Sequence, residues 1–302
     1  MNRFLACIVA AASLFAYQAN GQSPGAGAAQ DDQPVRGHQY VVAIGIDHYQ
    51  NWPALGTAVN DATGFGELLV NRFGYEYAAR PLTDQNATRE NINALVGDEL
   101  LKKLKPEDDL ILFFAGHGTT RTMNIGGETE SAGFLVPYEA RAPGASEHWS
   151  DYVKIEEFLR EVSRLPAKHI LVILDSCPTG IALESKSGPS GGDGRFGADM
   201  LRKMSRTVIT SAGTDQLAAE TGPIPDHSLF AGVLMQGLAT GKADVFGEGF
   251  VTASQLGAYA QHAVGVVLGS KQTPGFGRFD LDEGGELIIH LLAVPAGGKG
   301  AQ

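Results

Sequence analysis

Three short blocks of nearly unbroken apolar residues, set far apart in the chain, limit what it can fold into. They are Tyr40-Val41-Val42-Ala43-Ile44-Gly45-Ile46, Leu110-Ile111-Leu112-Phe113-Phe114-Ala115 and His169-Ile170-Leu171-Val172-Ile173-Leu174. A strand with one wet face alternates apolar and polar residues, so blocks without alternation predict strands covered on both faces, the mark of a parallel sheet. Helical patterns fill the gaps. Ile92, Leu95, Val96, Leu100 and Leu104 form one stripe, with Thr88 as N-cap and Glu99 four residues before Lys103. Ile155, Phe158, Leu159 and Val162 form another, and Val59, Ala62, Phe65, Leu69 and Phe73 a third across about 57–73. Strands alternating with helices predict a three-layer α/β fold.

Further on, Arg206-Thr207-Val208-Ile209-Thr210-Ser211 reads as a strand, Ser228–Leu238 and Thr252–Leu268 as amphipathic helices, and Glu286-Leu287-Ile288-Ile289 as a last strand. From Pro178 to Asp199 the chain turns to Gly, Ser, Pro and Lys, so 178–205 is expected to be a mobile, functional loop. The folded domain is expected to occupy 38–292, between a Gly- and Ala-rich leader at 22–37 and a disordered tail at 293–302.

The N-terminus has its own logic. Met1-Asn2-Arg3 gives a positive end, and Phe4 to Tyr17 is apolar or small but short of the roughly 20 residues a bilayer span needs. Ala19-Asn20-Gly21 supplies the small residues of a cleavage site. Residues 1–21 therefore read as a signal peptide, an uncleaved anchor being the alternative, and the protein is expected to be exported to a periplasm or secreted, with no membrane span after cleavage. Of the two cysteines, Cys7 would leave with that peptide and Cys177 would be the one thiol of the mature chain. With 23 Lys and Arg against 34 Asp and Glu the net charge is −11, which argues against nucleic acid as the main partner.

The chemistry gathers at two strand ends. The second apolar block runs into Gly116-His117-Gly118 and the third into Asp175-Ser176-Cys177. Open α/β sheets place their ligand sites past the carboxyl ends of strands. If the two strands are neighbours, their ends lie about 5 Å apart, within reach of a thiol nucleophile and an imidazole base. Such a pair suits acyl transfer, because the imidazole takes the thiol proton and returns it to the leaving amine. The amides of Gly118 and Cys177 are candidate oxyanion donors. Taken singly, His117 is a loop histidine and Cys177 a small hydrophobe; together, each after a near-identical block, they read as a catalytic dyad.

Phe113-Phe114-Ala115-Gly116-His117-Gly118 and Leu174-Asp175-Ser176-Cys177 resemble the two catalytic blocks of caspase-like cysteine peptidases, particularly the metacaspase and paracaspase branch of bacterial type. The resemblance extends through Ala43-Ile44-Gly45-Ile46-Asp47, Tyr49, Leu55 to Ala62, Thr210-Ser211-Ala212, Glu220 and Gln272-Thr273-Pro274, over about 39–290. It implies a caspase-like fold with a six-stranded, mostly parallel sheet and a His–Cys dyad. Two departures stand out: Pro178-Thr179-Gly180 follows the cysteine where the family usually has His-Ser-Gly, and Ala115 replaces a common Ser. By the same resemblance Asp61 and Asp175, with Glu220 as a third candidate, line a pocket for a substrate Arg or Lys; two buried carboxylates ask for a cation. Asp61 has an alternative role as a helix-start residue.

The expected activity is cleavage of peptides or proteins after Arg or Lys. Lys186, Arg195, Arg202 and Lys203 make self-processing of the Gly-rich loop one expectation and an uncut loop the other. Some relatives need calcium; here Asp193 and Asp199 are the acids near that loop, too few for an ion site. The alternative from another class is a catalytically inactive caspase-like module that binds peptides or proteins, favoured by Pro178-Thr179; another cysteine hydrolase of the same broad fold is the third reading. A serine-hydrolase elbow, a phosphate-binding loop and a helical zinc pair are all missing. The seven other histidines read as surface or structural residues, and Trp52 and Trp149 as packing residues or flanks of a peptide cleft. Oligomeric state is not legible.

Overall fold

The structure, a computed structural model, describes residues 37–142, 148–176, 200–212, 224–267 and 272–291. The three apolar blocks form β1 (Gln39–Gly45), β4 (Asp109–Ala115) and β8 (His169–Asp175). Between the first two lie α1 (Ala58–Phe73) and the short strands β2 (Glu76–Tyr77) and β3 (Leu82–Thr83). The stripe predicted as one helix is three helical segments in series: α2 (Arg89–Ala94), a π-helical stretch Leu95–Leu100, and α3 (Leu101–Lys103). Thr88 caps it, its hydroxyl accepting from Asn91 N at 3.1 Å. After β4 a hairpin of β5 (Gly118–Ile125) and β6 (Glu128–Leu135) pairs onward to β7 (Val153–Lys154), and α4 (Ile155–Ser163) returns the chain to β8. Last come β9 (Ser205–Thr210), α5 (Leu229–Thr240), β10 (Phe250–Thr252), α6 (Ala253–Gly265), β11 (Gly275–Arg278) and β12 (Ile288–His290).

The main sheet runs β11-β9-β8-β4-β1-β2, with β3 as a seventh strand also on β1. Every pairing is parallel except β11 on β9. The predicted last strand does not extend this sheet; β12 pairs antiparallel with β10 in a separate two-stranded sheet, because β11 already occupies the edge beside β9.

Each strand sends alternate residues to two cores. Val41, Ala43, Ile111, Phe113, Leu171, Ile173 and Ile209 meet α1, α5 and α6 on one face. Tyr40, Val42, Ile44, Leu110, Leu112, Phe114, Ile170, Val172 and Leu174 meet α2, the π-helical stretch and α4 on the other. Both faces are covered, so alternation had no reason to show in the sequence. Gly45 lets α1 lie close over the end of β1: a Cβ there would come 2.6 Å from Ala58 O.

One buried charge ties the sheet to its helices. The Arg206 guanidinium, 1% exposed, donates to the carbonyls of Ser163, Leu165, Ala167, Lys168 and Ser205 at 2.9–3.2 Å. These include carbonyls that the end of α4 leaves without helical partners. Burial draws the guanidinium down to about 10, so it keeps its charge at neutral pH. Arg206→Leu strands those carbonyls and should lower the unfolding free energy by about 3–5 kcal/mol, read as a shift of the urea midpoint.

Candidate active site

In β4 and β8, Ala115 stands opposite Asp175 and Gly116 N donates to Asp175 O at 3.1 Å. The two strands therefore end level and side by side, and His117 follows Ala115 by the same two residues as Cys177 follows Asp175. Cys177 itself lies outside the described residues, as do Glu220, Pro178, Thr179, Lys186, Asp193, Arg195, Asp199, residues 1–21 read as a signal peptide, all of the tail and nearly all of the leader.

His117 is held from several directions. Its backbone N donates to the Tyr49 hydroxyl at 2.7 Å, and its carbonyl accepts from Val136 N at 3.0 Å, just past the end of β6. Its ring Nε2 lies 2.9 Å from Pro53 O. A carbonyl only accepts, so in the neutral ring Nε2 carries the hydrogen and Nδ1 keeps its lone pair. The imidazole packs between Tyr49 (ring centroids 4.9 Å) and Trp52 (5.3 Å). Burial pushes the Tyr49 phenol above its ordinary range, so it stays neutral. Gly116 has to be glycine, since a Cβ would sit 2.5 Å from the Tyr49 oxygen. Gly118 opens β5 opposite Leu135.

In the sequence Tyr49 stood only among the residues that carry the resemblance, with no role assigned to it. Asp47 caps α1 from a distance, accepting from Ala58 N at 2.7 Å and Val59 N at 3.1 Å, while the nearer Thr57 makes no side-chain cap. Asp84 Oδ1 in turn accepts from the amides of Asp47 and His48, each at 2.9 Å. The segment carrying Tyr49, Trp52 and Pro53 is thus moored to both β3 and α1.

Asp61 and Asp175 meet around one serine. Ser228 N donates to Asp61 Oδ1 and Oδ2 at 3.1 and 3.3 Å, and Ser228 Oγ donates to Asp175 Oδ2 at 2.6 Å. The same hydroxyl accepts from Ala231 N and so caps α5. Asp61 is also in the first turn of α1, which satisfies the helix-start reading alongside the cluster. His227 Nδ1 lies 2.8 Å from Asp61 Oδ1, a hydrogen-bonded structural role of the kind expected of that histidine, here in contact with a candidate pocket acid. Nothing in the sequence gave His227 or Ser228 a part in this corner; its legible signs were the two acids, Asp61 and Asp175. Of the other histidines, His48 pairs with Asp84 and His169 with Asp109, as structural residues do.

Burial, and then the charge of Asp61, push the Asp175 carboxyl up to about 7, with the Ser228 and Ser211 hydroxyls pulling the other way. Burial raises Asp61 too, against the hydrogen bonds from His227, Thr57 and Ser228. Among the described residues no group of three or more His, Cys, Asp or Glu could hold a metal ion, and no helix is long and apolar enough to cross a membrane.

A family model described as the caspase domain matches residues 38–282. The chain belongs to the caspase-domain family. Relatives include metacaspase-1B of Aspergillus fumigatus, 30% identical over 157 residues, which cover 49% of this chain and 37% of that protein. Metacaspase-2 of Arabidopsis thaliana is 30% identical over 121 residues, 37% of this chain and 28% of the relative. This caspase domain chain thus spans about a third of the length of the curated relatives it matches. A solved structure of a protein from Geobacter sulfurreducens shares the fold, with a TM-score of 0.55 at 17% identity over 80% of this chain and 94% of the other.

The raised carboxyl of Asp175 makes stability depend on pH with a definite sign. Its ordinary value is 3.8, so between about 4 and about 7 the unfolded chain loses a proton that the folded chain keeps. The stabilisation is complete below that window and is lost as pH rises through about 7. Urea unfolding at pH 4.5 and 7.5 should show wild type losing a few kcal/mol relative to Asp175→Asn across that interval; parallel behaviour of the two would refute the assignment.

Proposed function

We propose that this chain is a cysteine endopeptidase in which Cys177 is the nucleophile, His117 the acid and base, and Asp61 with Asp175 the selectors of an Arg, or less often a Lys, before the scissile bond. The observation that carries this reading is the in-register pairing of β4 with β8, which ends the strands leading to His117 and Cys177 beside each other and puts Asp175 next to that point. Membership of the caspase-domain family supports it.

In this mechanism Nδ1 of His117 takes the thiol proton while Nε2–H rests on Pro53 O. The thiolate attacks the substrate carbonyl, and the amides of Gly118 and Cys177 receive the oxyanion. The imidazolium then protonates the leaving amine, and the acyl-enzyme is hydrolysed by a water that the same ring activates. Glu220 is the third candidate of the pocket. The N-terminal segment fits export, after which Cys177 is the one thiol left.

A guanidinium entering beside Asp175 would draw off its proton, since the burial and like charge that keep the carboxyl neutral are offset by the incoming cation. KM for an Arg peptide should therefore fall as pH rises through about 7, and Asp175→Asn should remove that fall while lowering kcat/KM about a hundredfold, within the ~2–5 kcal/mol typical of losing one partner of a buried ion pair. Fluorogenic peptides with Arg, Lys or Asp at the cleavage position read all of this; preference for Asp contradicts the pocket.

The second reading, a peptide-binding module without activity, draws on Pro178-Thr179 and on the engagement of Asp61 by His227 and Ser228. An Arg-chloromethylketone probe separates the two. Labelling at Cys177 that His117→Ala abolishes is the enzyme's result, and no labelling by any peptide warhead is the module's. Mass spectrometry of wild type beside Cys177→Ala tests self-processing; identical fragments rule it out.

A further inference from the structure

The aromatic surroundings of His117 form a two-tier support that its acid–base role does not by itself require. The inner tier is the indole of Trp52, its ring centroid 5.3 Å from the imidazole and tilted 38° to it. Trp52 immediately precedes Pro53, whose carbonyl faces Nε2, so one dipeptide supplies both the wall along the ring and the acceptor at its far edge. The outer tier is Arg141. Its carbonyl accepts from Trp52 Nε1 at 3.4 Å and also from the Tyr152 hydroxyl, and the Tyr152 ring stands edge-on to the indole at 6.1 Å. The Arg141 side chain is itself clamped by Asp151, with Nε–Oδ2 at 2.6 Å and Nη2–Oδ1 at 2.8 Å. Trp52 borders a small apolar cluster of Phe134, Val136, Ala140 and Tyr152, separate from the two large cores.

An imidazole free to turn about its side-chain bonds, or to exchange its proton between nitrogens, offers the thiol the right lone pair for only part of the time. A ring walled by aromatic faces, with an acceptor at one nitrogen, is fixed in both respects. We propose that Trp52 is a positioning residue for His117: steadied by the Arg141 carbonyl and the Arg141–Asp151 ion pair, it holds the imidazole with Nε2–H on Pro53 O and Nδ1 unprotonated. This rests on the reading of His117 as the acid and base, and it adds a specific role for a tryptophan that the sequence left between packing and flanking a peptide cleft.

The test uses the full chain carrying Cys177→Ala, with histidine rings labelled with nitrogen-15 and the His117 signals identified by their loss in His117→Gln. With Trp52 in place, His117 should show two well-separated nitrogen signals, a protonated Nε2 and an unprotonated Nδ1. In Trp52→Leu the two should move toward each other as the tautomers mix, and in Trp52→Phe, which keeps an aromatic face, they should stay apart. Asp151→Ala, a change at the outer tier away from the imidazole, should produce a smaller shift in the same direction, and it provides the readout if Trp52→Leu does not fold. In the chain with Cys177 intact, Trp52→Leu should lower kcat about tenfold on the Arg peptide with KM within about twofold, and Trp52→Phe should recover most of it. Unchanged nitrogen signals in both Trp52→Leu and Asp151→Ala would overturn the proposal, as would a rise in KM with kcat unchanged, which would make Trp52 a wall of the peptide cleft. Full peptide cleavage by His117→Ala would instead sink the enzyme reading itself, leaving the nitrogen signals as an independent result.

Discussion

The pairing of β4 with β8 governs most of what this chain can do. Seven consecutive residue pairs, from Asp109 opposite His169 to Ala115 opposite Asp175, lock the two central strands with no offset at their carboxyl ends. Both strands are sealed on two faces, so a slip of one residue would turn Phe113 and Ile173 out of one core and Phe114 and Leu174 out of the other. The register that satisfies both cores is also the one that brings Gly116-His117 and Ser176 out of the sheet at the same level. Packing alone thus sets the level at which these residues leave the sheet.

Around that pairing the chain uses its remaining buried polar groups as fasteners. Asp47 closes the start of α1 on the β1 side, Ser228 closes the start of α5 while holding two carboxyls, and Arg206 gathers the carbonyls beyond α4. Each joins a helix end to the sheet, where backbone groups would otherwise lose water without gaining a partner. In the Asp61–Asp175 corner this has a second effect. The same Ser228 that caps α5 keeps two acids close to each other in a buried place, where burial and the neighbouring charge raise the Asp175 carboxyl to about 7.

Much of this was legible. Non-alternating apolar blocks gave the parallel core strands, and helical stripes such as Ile155, Phe158, Leu159 and Val162 are buried as their spacing requires. Thr88 caps its helix as its residue type suggested. The residues past the strand ends made His117 a candidate, and the resemblance pointed to the two acids, Asp61 and Asp175, that meet around Ser228. Other features left no trace at short range. The π-helical stretch Leu95–Leu100 keeps the same buried stripe as an ordinary helix, and β12 reads as a strand whichever sheet receives it. The contacts of His227 with Asp61 and of Trp52 with His117 join residues 166 and 65 positions apart, and no local pattern encodes such a meeting.

By itself the sequence determined which segments must be strands buried on both faces, which helices must cover them, and which reactive side chains stand just beyond the strand ends, because periodicity and residue chemistry act locally. Only the tertiary structure decided that β4 and β8 are neighbours in exact register, that Ser228 joins the two acids, and that Tyr49, Trp52 and Pro53 enclose the His117 ring. Those are choices among pairings distant in the chain, made by how two cores close at once, and the hydrophobic pattern of any one segment is compatible with several of them.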